Sequence, residues 1–157
     1  LIVNINFESF VLSKSPALIR YCTAITCGID AEDAAQEAFI RLWRNWHKLG
    51  NETQATAYLY RAAYSACVDM LRAKKRFRTA SQAIKHDNIN IPDRLVSALK
   101  LLKTIDRAIL YGRACDEKSY AVLALEFEHN EAWVRKRYSL AKIKLQKLLS
   151  CDDKEEL

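Results

Sequence analysis

Apolar residues recur at intervals of three and four along most of this chain, the spacing that buries one face of an α-helix. The cleanest stripe runs Ala31, Ala34/Ala35, Ala38/Phe39, Leu42/Trp43 and Trp46. Asp30 stands before it as N-cap, and acids such as Asp33 follow in the first turn, where the helix dipole favours negative charge. After the polar stretch HKLGNETQ (47–54), a second stripe of Tyr58/Leu59, Ala62/Ala63, Ala66/Cys67 and Met70/Leu71 predicts a helix over 54–76. Tyr58 and Tyr60 alternate around that helix, so at least one belongs to the core. Ahead of both, SPALIRYCTAITC (15–27) reads as a helix with Ser15 as N-cap, Pro16 at its first position and Gly28 as its stop. Three such helices can close a small bundle.

The periodicity fades over FRTASQAIKHDNINIPD (77–93), where Asn, Asp, Ser and Pro accumulate as in a linker. Residues 94–114 resume a helical pattern. EKSYAVLALEF (117–127) reads as a short helix and EHN (128–130) as a break. EAWVRKRYSLAKIKLQKLL (131–149) reads as a long basic helix with Trp133/Val134, Tyr138, Ala141, Leu145 and Leu148/Leu149 inward. The pattern predicts an all-α chain of two small helical domains, 1–76 and 94–150, joined by a 77–93 linker and followed by an acidic tail, 151–157.

Composition agrees with helix. Three Gly and two Pro in 157 residues are too few turn signals for an all-β fold, and 50% hydrophobic with 28% charged residues is a globular balance. The net charge of +6 favours an anionic partner. Its surplus is split evenly: residues 1–76 carry ten bases against seven acids, and 94–157 carry thirteen against ten. Five cysteines, an odd number sitting mostly in apolar helical pattern, predict free thiols in a reduced, cytoplasmic protein. Cys22 and Cys27 lack zinc-knuckle spacing. No signal peptide is expected, and with no apolar run of bilayer length in the sequence no membrane insertion is expected.

Two stretches carry candidate chemistry. A short helix, a three-residue turn and a basic helix match a helix-turn-helix, whose second helix needs donors near its start for base edges and phosphates. Arg135, Lys136, Arg137, Ser139 and Lys142 are placed to supply them, with Asn130 as N-cap. The pattern alone equally allows a solvated basic helix packed through Trp133 and Tyr138. The other stretch is the end of the 54–76 helix, where Arg72, Lys74, Lys75 and Arg76 crowd together.

DAEDAAQEAFIRLW (30–43) followed by AYLYRAAYSACVDMLRAKKR (57–76) resembles the promoter-melting domain of the bacterial sigma-70 family, and most of all its extracytoplasmic-function members. DRAILYGRACDEKSYAVLALEFEHNEAWVRKRYSLAKIKL (106–145) independently resembles that family's second DNA-binding domain. The resemblance implies that Asp33, Gln36, Glu37 and Ile40 dock on a coiled coil of the polymerase β′ subunit, with Phe39, Leu42 and Trp43 at or near the contact. It implies that Arg61, Tyr64, Ser65 and Asp69 face the separated −10 strands while Arg72, Lys74, Lys75 and Arg76 hold phosphates. The 47–56 gap becomes the loop that accepts a flipped-out base, and Arg135, Lys136, Arg137, Ser139 and Lys142 meet the −35 duplex. The chain departs from the family pattern at Ser65, often a larger amide, at Leu140, often Arg, and at Glu126 and Glu128, usually apolar and Gly.

The expected function is thus a bacterial sigma factor, not an enzyme and without a cofactor. Its expected partners are core RNA polymerase (β′ coiled coil and β), promoter DNA and an anti-sigma factor. A stand-alone helix-turn-helix regulator accounts for the C-terminal half but leaves DAEDAAQEAF unexplained. A nuclease would need clustered catalytic groups, and His47, His86 and His129 are scattered.

Overall fold

A computed structural model describes residues 6–28, 30–78 and 93–151. Among these residues the chain is helical throughout, with no strand. It divides into two compact units, Leu1–His86 and Asp87–Leu157.

The first unit packs α1 (Phe7–Thr26), α2 (Ala31–Asn45) and α3 (Glu52–Arg78), with a short 3-10 turn at Trp46–Lys48. Its core takes Phe10, Leu18, Tyr21, Cys22 and Ile25 from α1, Ala34, Ala38 and Leu42 from α2, and Leu59, Tyr60, Ala63 and Cys67 from α3. The alanines let the helix axes approach closely. The larger side chains supply the driving force, about 1.5–3 kcal/mol for each one fully buried. Tyr60 is the buried tyrosine of its pair, set edge-on to Tyr21 at 4.9 Å. Tyr58 is half-buried, its hydroxyl accepting from Asn45 Nδ2 at 2.8 Å.

Helix α1 begins well before the Ser15–Pro16 start read from the sequence. Asn6 is the N-cap, its side chain accepting from the Glu8 amide at 3.0 Å. Phe7 and Phe10 then pack on Trp46 at 5.1 and 5.2 Å. That aromatic burial outweighs the amide lost at Pro16, which leaves the Leu12 carbonyl without its helical donor on a face where Leu12 is 70% exposed. Ser15 caps nothing; its hydroxyl bonds back to the Val11 carbonyl at 2.8 Å. The helix closes with Cys27 and Gly28 both at positive φ, and the Gly28 amide reaches the Thr23 carbonyl at 3.0 Å. Asp30 occupies the cap position of α2 but makes no capping bond. Its carboxylate instead holds Lys74 at 3.0 Å.

Helix α3 continues through Phe77 and Arg78, two residues that the sequence pattern assigned to the linker. Residues 79–92 of that linker, and 152–157 of the predicted tail, lie outside the described residues; Cys151 ends the last helix.

The second unit holds α4 (Asp93–Lys100), α5 (Thr104–Ala114), α6 (Tyr120–Phe127) and α7 (Glu131–Cys151). The helical pattern over 94–114 resolves into two helices, α4 and α5. Arg107, 7% exposed, donates to the Leu99 carbonyl at 3.2 Å and to Thr104 Oγ1 at 3.4 Å, satisfying the end of α4 from inside the bundle. Ile109, Leu123, Ala124 and Val134 form one buried cluster, and Leu102, Leu110 and Ala141 another. Gly112 lets α5 meet α6, because a Cβ there would stand 2.8 Å from Leu123 Cδ2. Arg94 donates to the Leu149 carbonyl and Lys144 to that of Leu101, tying α7 to α4 and the turn after it.

Candidate partner-binding and nucleic-acid interface

On the first unit, α2 and α3 border a groove of about 340 Å³ lined by Asp33, Gln36, Glu37, Ile40 and Arg41 on one side and Ala66, Asp69 and Met70 on the other. Its rim is charged and its floor apolar, with Ile40 46% exposed. This arrangement suits a basic amphipathic helix: ammonium or guanidinium groups meet the carboxylates while apolar side chains cover Ile40 and Met70. Of the residues expected at a polymerase contact, Asp33, Gln36, Glu37 and Ile40 share this groove. Trp43 is 61% exposed and rests on Phe7 at 4.7 Å. Phe39 is half-buried. Leu42, which the resemblance put at or near the contact, is 0% exposed and belongs to the core on the inward stripe of α2, so it offers no surface of its own.

Glu37 and Arg41, one turn apart on α2, pair at 2.8 Å. The guanidinium also donates to Ser65 Oγ at 3.2 Å and reaches Asp69 Oδ2 at 3.5 Å. The Glu37 hydrogen bond leads in pushing the Arg41 pKa above its ordinary value, against a smaller opposing effect of burial. Asp69, read as strand-facing, itself lines the groove, and Ser65 meets it through Arg41, a residue that sequence reasoning had not singled out. The signal for Arg41 was present only as half of an ordinary helix pair.

Along α3 the spacing of Arg61, Ser65, Asp69, Arg72 and Arg76 sets them on one face, with Tyr64 and Lys75 flanking it. Ser65, Asp69, Arg72, Lys75 and Arg76 are exposed, while Arg61 and Tyr64 are half-buried. Lys74 departs from this group: it points to the start of α2, where Asp30 neutralises it. The loop before α3 is tightly held. Asn51 Oδ1 accepts from the Gln54 amide, and Gln54 Oε1 accepts from the Gly50 amide, each at 2.9 Å. Lys14 adds an ion pair to Glu52 at 3.2 Å.

In the second unit α6 is followed after a three-residue turn by α7, the order of elements expected of a helix-turn-helix. Ser119 caps α6 by accepting from the Val122 amide at 3.2 Å. In the turn Glu128 takes the left-handed conformation, φ 55°, that a glycine would adopt without strain. Asn130 accepts from the Trp133 amide at 2.8 Å, the cap expected from the sequence. His129 stacks on Trp133 with centroids 3.7 Å apart. Arg135, Lys136, Ser139 and Lys142 are exposed on α7. Arg137 is not available in the same way: it is half-buried and paired with Asp106 of α5 at 2.8 Å, so its charge braces the unit. The guanidiniums of Arg113 and Arg135 lie 4.9 and 5.0 Å from the Tyr120 ring, placing Arg113 beside the predicted −35 donors although nothing in its local sequence marked it. Glu126, the acid in an apolar position, is buried and answered by Lys118 at 2.9 Å. Burial together with Asp116 raises the pKa of Cys115.

Comparisons with known proteins bear on both units. The sigma-70 region 2 family matches residues 10–77. An RNA polymerase sigma-E factor from Streptomyces avermitilis is 24% identical over 123 residues, covering 73% of this chain and 69% of the relative. The sigma factor RpoE, solved in complex with the anti-sigma factor NepR from Bartonella quintana, superposes with a TM-score of 0.73 at 21% identity, over 93% of this chain and 98% of that one. Residues 10–77 thus match sigma-70 region 2, and the chain is similar in sequence to an RNA polymerase sigma-E factor and in fold to RpoE.

Proposed function

We propose that this chain is a sigma factor that directs core RNA polymerase to its promoters, the first unit binding core and the opened −10 strand and the second binding −35 duplex. The observation that carries the reading is the coexistence, in one chain, of the region 2 match over residues 10–77 with a helix-turn-helix that exposes Arg135, Lys136, Ser139 and Lys142. The acidic groove suits a basic helical segment of the polymerase, as the β′ coiled coil would present. Melting leaves bases unstacked and phosphates close together, and the α3 face offers Tyr64 beside Arg61, Arg72, Lys75 and Arg76 for both. The NepR complex of the similar sigma factor supports an anti-sigma partner for this chain as well. Run-off transcription with core polymerase on a promoter library tests the proposal: enrichment of one two-part motif is expected, and no core-dependent transcript would overturn it.

A further inference from the structure

Glu126 is the one charged residue of α6, and its side chain is 1% exposed. It meets the Lys118 ammonium at 2.9 Å, and Asp116 Oδ2 stands 3.9 Å from the same nitrogen. Lys118 and Asp116 both belong to the loop 115–119 that joins α5 to α6. The Lys118 stem runs inward past Gly112, where a Cβ would stand 3.6 Å from its Cδ. Stability does not account for this pair. Removing two charges from water offsets most of their attraction, and apolar residues of similar volume are often as good or better. What the pair adds over apolar contact is direction, because an ammonium held by carboxylates occupies one place while apolar packing is non-directional.

The loop fixed in this way carries polar contacts at the start of α6. The Lys118 amide donates to the Gly112 carbonyl at 2.9 Å, and the Lys118 carbonyl accepts from Arg113 Nη1 at 3.2 Å. The guanidiniums of Arg113 and Arg135 both lie against the Tyr120 ring, at 4.9 and 5.0 Å. Glu117, between Asp116 and Lys118, is held at φ 51°, a left-handed conformation that a residue with a Cβ resists. Such a conformation persists only under restraint from its surroundings, and the anchored Lys118 side chain supplies it.

We infer that Lys118 and Glu126 are positioning residues for duplex binding: by fixing the Lys118 carbonyl they aim the Arg113 guanidinium beside Tyr120 and Arg135, where it takes a phosphate. The inference rests on the −35 reading of the second unit. Arg113 is then a phosphate contact whose direction is set from the interior of the unit. Without the ion pair the carbonyl moves with its loop and Arg113 loses that direction, so the loss is read in duplex affinity and not in folding.

The test compares Lys118→Met with Glu126→Leu in the wild-type and Arg113→Ala backgrounds, using holoenzyme assembled at saturating core. Fluorescence anisotropy reads its affinity for a labelled duplex carrying the upstream half of the motif selected in the run-off experiment. The apolar pair should leave the melting temperature within a few degrees yet weaken duplex binding roughly three- to tenfold with Arg113 present. In the Arg113→Ala background it should weaken binding by under about twofold. The salt slope of duplex binding should fall by about one in the apolar pair, as in Arg113→Ala, because both forfeit the same phosphate. If the apolar pair fails to fold, Glu126→Gln takes its place in the same comparison, with the same dependence on Arg113 expected. Equal losses in both backgrounds, or undiminished duplex affinity in either form of the variant, would overturn the inference while leaving the function intact; a merely structural ion pair gives one of these results. Wild-type holoenzyme that binds no such duplex would overturn the −35 reading itself.

Discussion

Replacing Lys118 with Met removes the ammonium that stands 2.9 Å from Glu126 Oε1 and 3.9 Å from Asp116 Oδ2. The Glu126 side chain is 1% exposed and that of Lys118 11%, so neither water nor salt screens the pair effectively. Breaking a buried ion pair from one side strands the other charge, at a cost of about 3–5 kcal/mol. A helical unit of this size holds roughly 4–10 kcal/mol of stability, so Lys118→Met should remove much of it. The corresponding fall in melting temperature is on the order of 20 °C. Urea unfolding followed by amide hydrogen exchange in α6 and α7 measures this unit separately from the first. The companion variant, Lys118→Met with Glu126→Leu, replaces both charges by apolar groups and should return stability to within about 1 kcal/mol of the parent or exceed it. A single variant that loses less than about 1 kcal/mol, or a double variant as unstable as the single, would refute the reasoning.

Glu37→Lys should weaken core binding by at least about tenfold in an anisotropy titration, since it reverses the charge beside Asp33, yet leave the melting temperature within a few degrees because its exposed pair with Arg41 contributes little. Leu42→Ala and Trp43→Ala should separate fold from contact. The first, at a fully buried position, costs about 2–5 kcal/mol in a denaturation curve, while the second acts mainly on core affinity. Neutralising Arg72, Lys75 and Arg76 together should reduce the salt slope of promoter binding by about 2–3, one unit for each phosphate left without its cation. Lys74→Ala alone should change it by well under about one, because Asp30 already neutralises Lys74.

Much of the architecture could be read from local pattern. The stripes of α2, α3 and α7 appear as three-to-four spacing of apolar residues, and the Asn130 cap follows from its place before a helix. The misreadings have a common cause. Ser15–Pro16 is a valid helix start locally, but aromatic packing of Phe7 and Phe10 against Trp46 extends α1 through it. Asp30 has the right identity for a cap, but Lys74, distant in sequence, takes its carboxylate. Within the helical pattern over 94–114, Arg107 stabilises the break between α4 and α5 from inside the bundle.

The candidate site divides along the same line. Sequence alone determined the helical class and the acidic face of Asp33, Gln36, Glu37 and Ile40. It also determined the clustering of bases at the end of α3 and the start of α7, because each depends on residues within a few turns of one helix. Only the tertiary structure decided which of those charges can act on a partner. Arg137 is paired with Asp106, Lys74 with Asp30, and Lys118 with Glu126, while Arg41 connects Glu37 to Ser65 and Asp69. Apart from Glu37, each of those partners lies on another helix or loop of the same unit. The availability of a charge depends on which opposite charge folding brings within about 4 Å, and periodicity along one helix carries no record of that distance.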